Sequence, residues 1–262
     1  MNRITNAFQT KPIFMPYFPL GYPDLDTSIG VIEALAKHGA DLIEVGLSFS
    51  DPLADGPVIQ KATQVALEHG ITVKKSLAAV KELRQRGVDI PLVLMGYYNP
   101  MLAYGLDKFI REAVEAGVDG FIVPDLPVEE AEEFASALAG TDSRPSLPLI
   151  QMLAPTTSDE RMKMAARNAK GFIYLVSVTG VTGERKSISE GLGELIARVR
   201  KHTSVPVCVG FGIGTPEQAK QVGALADGVI VGTACVRAIG ESEKPVEAAK
   251  GFATSFHEAL KK

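Results

Sequence analysis

The chain has 262 residues, of which 46% are hydrophobic and 22% charged, with a formal net charge of −4. This composition excludes disordered, collagen-like and low-complexity character, and the lack of a Lys/Arg excess excludes general affinity for nucleic acid. Two cysteines, Cys208 and Cys235, are too few for a disulfide framework and suit a reducing compartment.

Residues 1–6 carry no apolar signal core, and no run approaches the length needed to span a bilayer. A soluble, cytoplasmic chain with no membrane contact is the expectation. Along it, short apolar runs at 13–18, 42–46, 92–96, 121–123, 147–153, 172–177, 205–210 and 229–232 alternate with amphipathic segments. The runs are rich in Val, Ile and Phe and bounded by Gly, Pro or Asp, as strands covered on both faces should be. Ile29, Ile32 and Leu35 make an apolar stripe of helical period in one intervening segment, and Leu106, Ile110 and Ala113 do so in another. Eight strands alternating with at least eight helices predict a single (β/α)8 TIM barrel over residues 1–262. An extra N-terminal helix and short extra helices in the βα loops complete the expected fold.

A weak repeat supports the barrel. Gly39-Ala40-Asp41, Gly117-Val118-Asp119 and Leu225-Ala226-Asp227 each introduce a strand. A small residue ends the helix and the Asp precedes the buried run. The polar stretch 140–146 reads as a surface loop on the N-terminal face.

Chemistry in such a barrel belongs to the loops that follow the strands. His38, His69, His202 and His257 all fall on helices or at helix ends, which argues against a histidine base or a His-rich metal site. Cys208 and Cys235 read as small buried hydrophobes. After the seventh strand, Gly210-Phe211-Gly212-Ile213-Gly214 precedes a helix that Thr215 and Gln218 would cap, with Pro216 in its first position. After the eighth, Gly232-Thr233-Ala234 opens another helix. Glycines let backbone N–H groups approach a dianion, and these two loops are a recurrent phosphate site of the fold.

The second strand carries Glu44 inside an apolar run. Strand alternation puts Leu42, Glu44 and Gly46 on one face and Ile43 and Val45 on the other. Because the second face must pack on helices, Glu44 points into the barrel near its mouth. Burial there raises a carboxyl pKa toward neutrality and equips it as a general acid or base. Asp55 follows in a loop whose Asp51-Pro52 and Asp55-Gly56 pairs read equally well as turn chemistry.

Glu44-Val45-Gly46 followed by Phe49-Ser50-Asp51-Pro52-Leu53-Ala54-Asp55-Gly56-Pro57 closely resembles the signature of the tryptophan synthase α subunit family. So, in order along the chain, do Pro16-Tyr17-Phe18-Pro19, Met95-Gly96-Tyr97-Tyr98-Asn99-Pro100, Pro124-Asp125-Leu126-Pro127, Gly180-Val181-Thr182-Gly183, Gly210-Phe211-Gly212-Ile213 and Val231-Gly232-Thr233-Ala234. The resemblance implies retro-aldol cleavage of indole-3-glycerol phosphate to indole and glyceraldehyde 3-phosphate in tryptophan biosynthesis, without metal or Schiff base. It implies that Glu44 is the acid and base and that Asp55 engages the indole N–H. Gly183, Gly212, Gly232 and Thr233 would hold the phosphate. Tyr17, Met95, Tyr97 and Tyr174 would line the indole pocket, with barrel core as the plain alternative for all four.

The resemblance also implies a β subunit partner in an α2β2 tetramer, facing Asp51 and Asn99. Pyridoxal phosphate would reside in that partner, and no cofactor in this chain. Ser48 and Val178 depart from the usual family pattern, the first in the loop that carries Asp55. Two other readings share these loops: a stand-alone indole-3-glycerol-phosphate lyase, and another phosphosugar-binding barrel enzyme. The latter has no need for the Asp-Pro-Leu-Ala-Asp-Gly-Pro loop.

Overall fold

The computed structural model describes residues 2–141, 145–176, 189–210 and 212–261. Its strands are β1 (Ile13–Pro19), β2 (Ile43–Gly46), β3 (Leu92–Met95), β4 (Gly120–Ile122), β5 (Gln151–Leu153), β6 (Ile173–Val176), β7 (Val207–Gly210) and β8 (Gly228–Val231). All seven strand pairings are parallel, in the order β4-β3-β2-β1-β8-β7-β6-β5. Between β4 and β5 the ring is joined through Phe121, whose N–H donates to Pro148 O at 2.9 Å and whose carbonyl accepts from Ile150 N at 2.8 Å. The predicted TIM barrel is the observed fold.

The helices are α1 (Arg3–Ala7), α2 (Leu25–Lys37), α3 (Pro57–Glu68), α4 (Val73–Gln85), α5 (Tyr98–Tyr104), α6 (Leu106–Ala116), α7 (Glu132–Leu138), α8 (Asp159–Asn168), α9 (Ser189–Arg200), α10 (Pro216–Gly223), α11 (Thr233–Gly240) and α12 (Pro245–Lys261). The expected extra N-terminal helix is α1. Its Ile4, together with Phe8 just beyond it, packs against the barrel's inner residues, including Phe172 and Ile150. The extra βα-loop helices are α3, α5 and α11, each preceding the helix that returns to the next strand or ends the chain.

Two strands begin two or more residues later than their apolar runs suggest. Pro148 and Pro206 have no N–H to give a ladder, so β5 and β7 start beyond them. Their carbonyls still serve the neighbours, accepting from Phe121 N and Ile173 N.

The aspartates of the repeat act as clamps between strands. Asp41 N–H donates to Phe14 O and its Oδ2 accepts Phe14 N–H, at 2.9 and 2.8 Å. Asp119 bonds both backbone groups of Leu92 in the same way, and Asp227 those of Val207. Each aspartate thus completes the ladder at the N-terminal edge of β1, β3 or β7, where a strand would otherwise leave its first groups unpaired. Asp119 also pairs with Arg84 and Arg3. This end of the barrel is tied down by charge and backbone, which leaves the opposite mouth for chemistry.

Candidate active site

Ile43 and Val45 pack with the helix layer while Leu42 joins the barrel interior, so alternation turns Glu44 inward as expected. In the parallel register Glu44 lies beside Tyr17 on β1 and Val93 on β3. The Glu44 side chain is 1% exposed, and its Oε1 has no hydrogen-bond partner among the described residues. Burial pushes its pKa up to about 8, so the carboxyl is largely protonated at neutral pH. At the wall of a cavity such an atom is free to hydrogen-bond a bound molecule.

Glu44 borders a cavity of about 320 Å³ at the C-terminal mouth. Asp55, from the loop between β2 and α3, lies on its wall, as do Tyr17, Met95 and Tyr174. Burial raises the Asp55 carboxyl above its ordinary value, and a hydrogen bond from Tyr97 pulls it partly back. Tyr97 departs from expectation: it does not line the cavity. Its hydroxyl donates to Asp55 Oδ2 at 3.0 Å and accepts Ala54 N–H at 2.9 Å, so it braces the loop from behind.

Two tyrosines roof the strand-ending glycines. A Cβ on Gly46 would come within 2.3 Å of the Tyr17 hydroxyl oxygen, and one on Gly210 within 2.5 Å of that of Tyr174. Any side chain there would push the rings out of the cavity floor. Burial, first, and the nearby carboxylates hold both phenols well above their usual pKa.

The glycine loops differ in chemistry. At α10 the capping box is present as predicted: Gln218 Oε1 accepts from Gly214 N and Thr215 N, and Thr215 Oγ1 accepts from Gln218 N. That helix end satisfies itself. Among the described residues no side chain caps α11, and its first turn closes with Val236 N–H on Gly232 O. The N–H groups of Thr233, Ala234 and Cys235 therefore have no acceptor within the helix. Gly212, Gly232 and Thr233 all line the cavity. Gly212 takes φ +77°, a conformation open mainly to glycine. Gly183 and Val178 lie outside the described residues.

Arg237, which sequence reasoning missed, lines the same cavity. The signal was available as helical spacing, since Arg237 stands four residues after Thr233. Asp51 and Asn99 are exposed, near the mouth ends of β2 and β3. Beside Asp51, Leu53 is 87% exposed. The departure at Ser48 places a hydroxyl 3.5 Å from Leu20 O, at the limit of a bond. Three histidines use Nδ1 on backbone carbonyls, of Ala34, Pro23 and Gly39. No histidine is among the described residues that line the cavity. Among the described residues no helix is long and apolar enough to cross a membrane.

Fold and cavity together define an α/β-barrel protein with Glu44, Asp55, Tyr17 and Tyr174 gathered around one cavity at the C-terminal mouth. The sequence profile of the tryptophan synthase alpha chain family matches residues 5–261. The tryptophan synthase alpha chain of Dehalococcoides mccartyi is 42% identical over 262 residues, covering 99% of this chain and 100% of the relative. That of Geotalea daltonii is 47% identical over 242 residues, 90% of each chain. Among solved structures, the alpha chain from Legionella pneumophila superposes with a TM-score of 0.89 at 37% identity, covering 100% of this chain and 98% of that one. A chain of tryptophan synthase from M. tuberculosis, in an open form with BRD0059 bound, gives 0.87 at 34% identity and 99% of each chain. The chain belongs to the tryptophan synthase alpha chain family.

Proposed function

We propose that the chain cleaves indole-3-glycerol phosphate to indole and glyceraldehyde 3-phosphate by acid–base catalysis through Glu44 and Asp55. The observation that carries this reading is the buried Glu44 carboxyl, its Oε1 without a partner among the described residues, facing a cavity that Asp55 and the α11 N-terminus also border. The carbon–carbon bond to an aromatic ring breaks only once the ring carbon becomes tetrahedral. Glu44 supplies the proton that does this, and positive charge develops at the ring nitrogen, where the Asp55 carboxylate stabilises the N–H. The Glu44 carboxylate then takes the proton of the hydroxyl on the adjacent glycerol carbon. The carbon–carbon bond pair returns to the ring, the aldehyde forms, and Glu44 ends protonated as it began. No step in this reading is assigned to a metal or a Schiff base.

Gly212, Gly232 and Thr233 hold the phosphate by backbone N–H groups and the helix end. Tyr17, Met95 and Tyr174 flank the ring. The exposed Asp51 and Asn99 face a β subunit in an α2β2 tetramer, which carries pyridoxal phosphate and receives the indole, and the chain works in the cytoplasm. The test is to supply indole-3-glycerol phosphate to the chain, alone and with a β subunit, and to measure indole. Release of indole and glyceraldehyde 3-phosphate in equal amounts supports the reading, and no release in either arm overturns it. A rate indifferent to the β subunit removes the assigned partner role.

A further inference from the structure

We infer that Arg237 is a binding residue for the phosphate group of the substrate, the cationic complement to the α11 backbone. The inference rests on the reading above and adds a side chain to it. Arg237 lines the cavity together with Gly212, Gly214, Gly232 and Thr233, and is the one cationic side chain among the described lining residues. It stands one helical turn after Thr233, and helical side chains lean toward the N-terminus, so the two share a face and Arg237 leans toward the open end of α11. Its guanidinium makes no hydrogen bond or ion pair among the described residues, and the residue is exposed.

Charge balance explains why such a group is needed. A helix end offers about half a unit of positive charge, whereas a phosphate monoester carries close to two negative charges near neutrality. The cavity already holds Glu44 and Asp55. The neighbouring α10 end has its first N–H groups occupied by Thr215 and Gln218, so it adds little. A guanidinium brings five donors in a planar fork that matches two phosphoryl oxygens at once. Glu44 Oε1, unpartnered in the same cavity, is the second polar group that a single ligand would satisfy.

The experiment compares the full chain with Arg237→Ala and Arg237→Lys, using glycerol 3-phosphate as the phosphate probe and indole as the ring probe. Calorimetric titration reads both affinities, and steady-state assays with indole-3-glycerol phosphate separate KM from kcat. Arg237→Ala is expected to weaken glycerol 3-phosphate about tenfold and to raise KM comparably, the scale of one charge-assisted contact. Its kcat stays within about twofold of wild type, as for a contact equal in ground and transition states, and indole affinity is unchanged. Arg237→Lys recovers part of the loss. Glycerol 3-phosphate affinity that is unchanged in Arg237→Ala overturns the inference, as does an equal loss for indole, or no binding of glycerol 3-phosphate by the unaltered chain. If the unaltered chain releases no indole, the catalytic reading fails, while the glycerol 3-phosphate comparison still decides the role of Arg237.

Discussion

The Tyr97 hydroxyl donates to Asp55 Oδ2 at 3.0 Å while accepting the Ala54 N–H at 2.9 Å, so one oxygen fixes both the carboxylate and the backbone beside it. The Tyr97 ring in turn packs against Phe49, with centroids 5.5 Å apart. Tyr97→Phe keeps that packing and removes only the oxygen. Loss of two hydrogen bonds from a loop is worth about 1–2 kcal/mol, so kcat is expected to fall about tenfold. The bond now lowers the Asp55 pKa, so its removal moves the acid limb of the kcat profile to higher pH. A profile measured from pH 4 to 7 that does not move would assign Tyr97 to packing alone.

Glu44→Gln leaves the shape of the site intact and removes its proton. Indole release is expected to drop by about 10²–10⁴-fold, the usual weight of a positioned acid or base. In the unaltered chain kcat/KM should decline as pH rises through about 8, because the free protein must hold Glu44 protonated to begin. A rate that climbs through pH 9 would contradict the assignment.

The same carboxyl governs stability in the opposite direction from most acids. Burial lifts its folded-state pKa from 4.5 to about 8, so its contribution is fully present below 4.5 and is lost as pH climbs through about 8. The loss approaches about 1.4 kcal/mol per pH unit between those values. Glu44→Gln, neutral throughout, should therefore melt higher than the unaltered chain at pH 9 and level with it at pH 4.5. Equal differences at both pH values would mean that Glu44 is not buried as a neutral acid.

Much of this site is legible in the sequence. Strand alternation alone turns Glu44 inward, since Ile43 and Val45 must face helices. The α10 capping box follows from Thr215, Pro216 and Gln218 as a local pattern. Tyr97 was not legible: its hydroxyl meets a residue 42 positions away, and only tertiary packing decides that it lies behind Asp55 and not on the cavity wall. The two glycine loops share a glycine pattern, but only the first carries a capping sequence, Thr215-Pro216-Glu217-Gln218. The hydrogen bonds bear out the α10 cap, and among the described residues they leave the first N–H groups of α11 without a side-chain acceptor. Strand starts slipped at Pro148 and Pro206 because apolar runs continue through prolines that cannot join a ladder.

Gly232→Ala tests the proposed phosphate cradle without disturbing the barrel. A Cβ there would sit 3.7 Å from Tyr17 Cβ and 3.8 Å from Ile59 Cδ1, ordinary contacts, so no packing among the described residues demands glycine. Tyr17 and Ile59 both line the cavity, so the added carbon would take up cavity space beside the α11 N-terminus. Gly232→Ala is expected to raise KM about tenfold, near 1.4 kcal/mol of binding, with an unchanged melting temperature. An unchanged KM would remove Gly232 from the cradle, and a lowered melting temperature would return it to the turn.

The aspartate clamps at the far end of the barrel share one geometry but not one electrostatic setting. At Asp227 burial pushes the carboxyl up, yet Lys11, the Val207 N–H and Arg200 outweigh it and hold the pKa below 3.8. At Asp41 burial prevails over the Phe14 N–H, and the pKa rises. Asp227→Asn therefore forfeits ion pairs at 2.8 and 3.1 Å, whose partly exposed partners limit the cost to about 1–2 kcal/mol at pH 7. Asp41→Asn keeps an oxygen for Phe14 N–H in the neutral form that burial favours, and should change stability by less than about 0.5 kcal/mol. The Asp227 contribution is present above 3.8 and disappears as pH falls through the lowered folded-state value, so its penalty shrinks in acid. Urea melts of both variants at pH 7 and pH 3 check this, and equal costs at pH 7 would mean that the clamp works through backbone geometry alone.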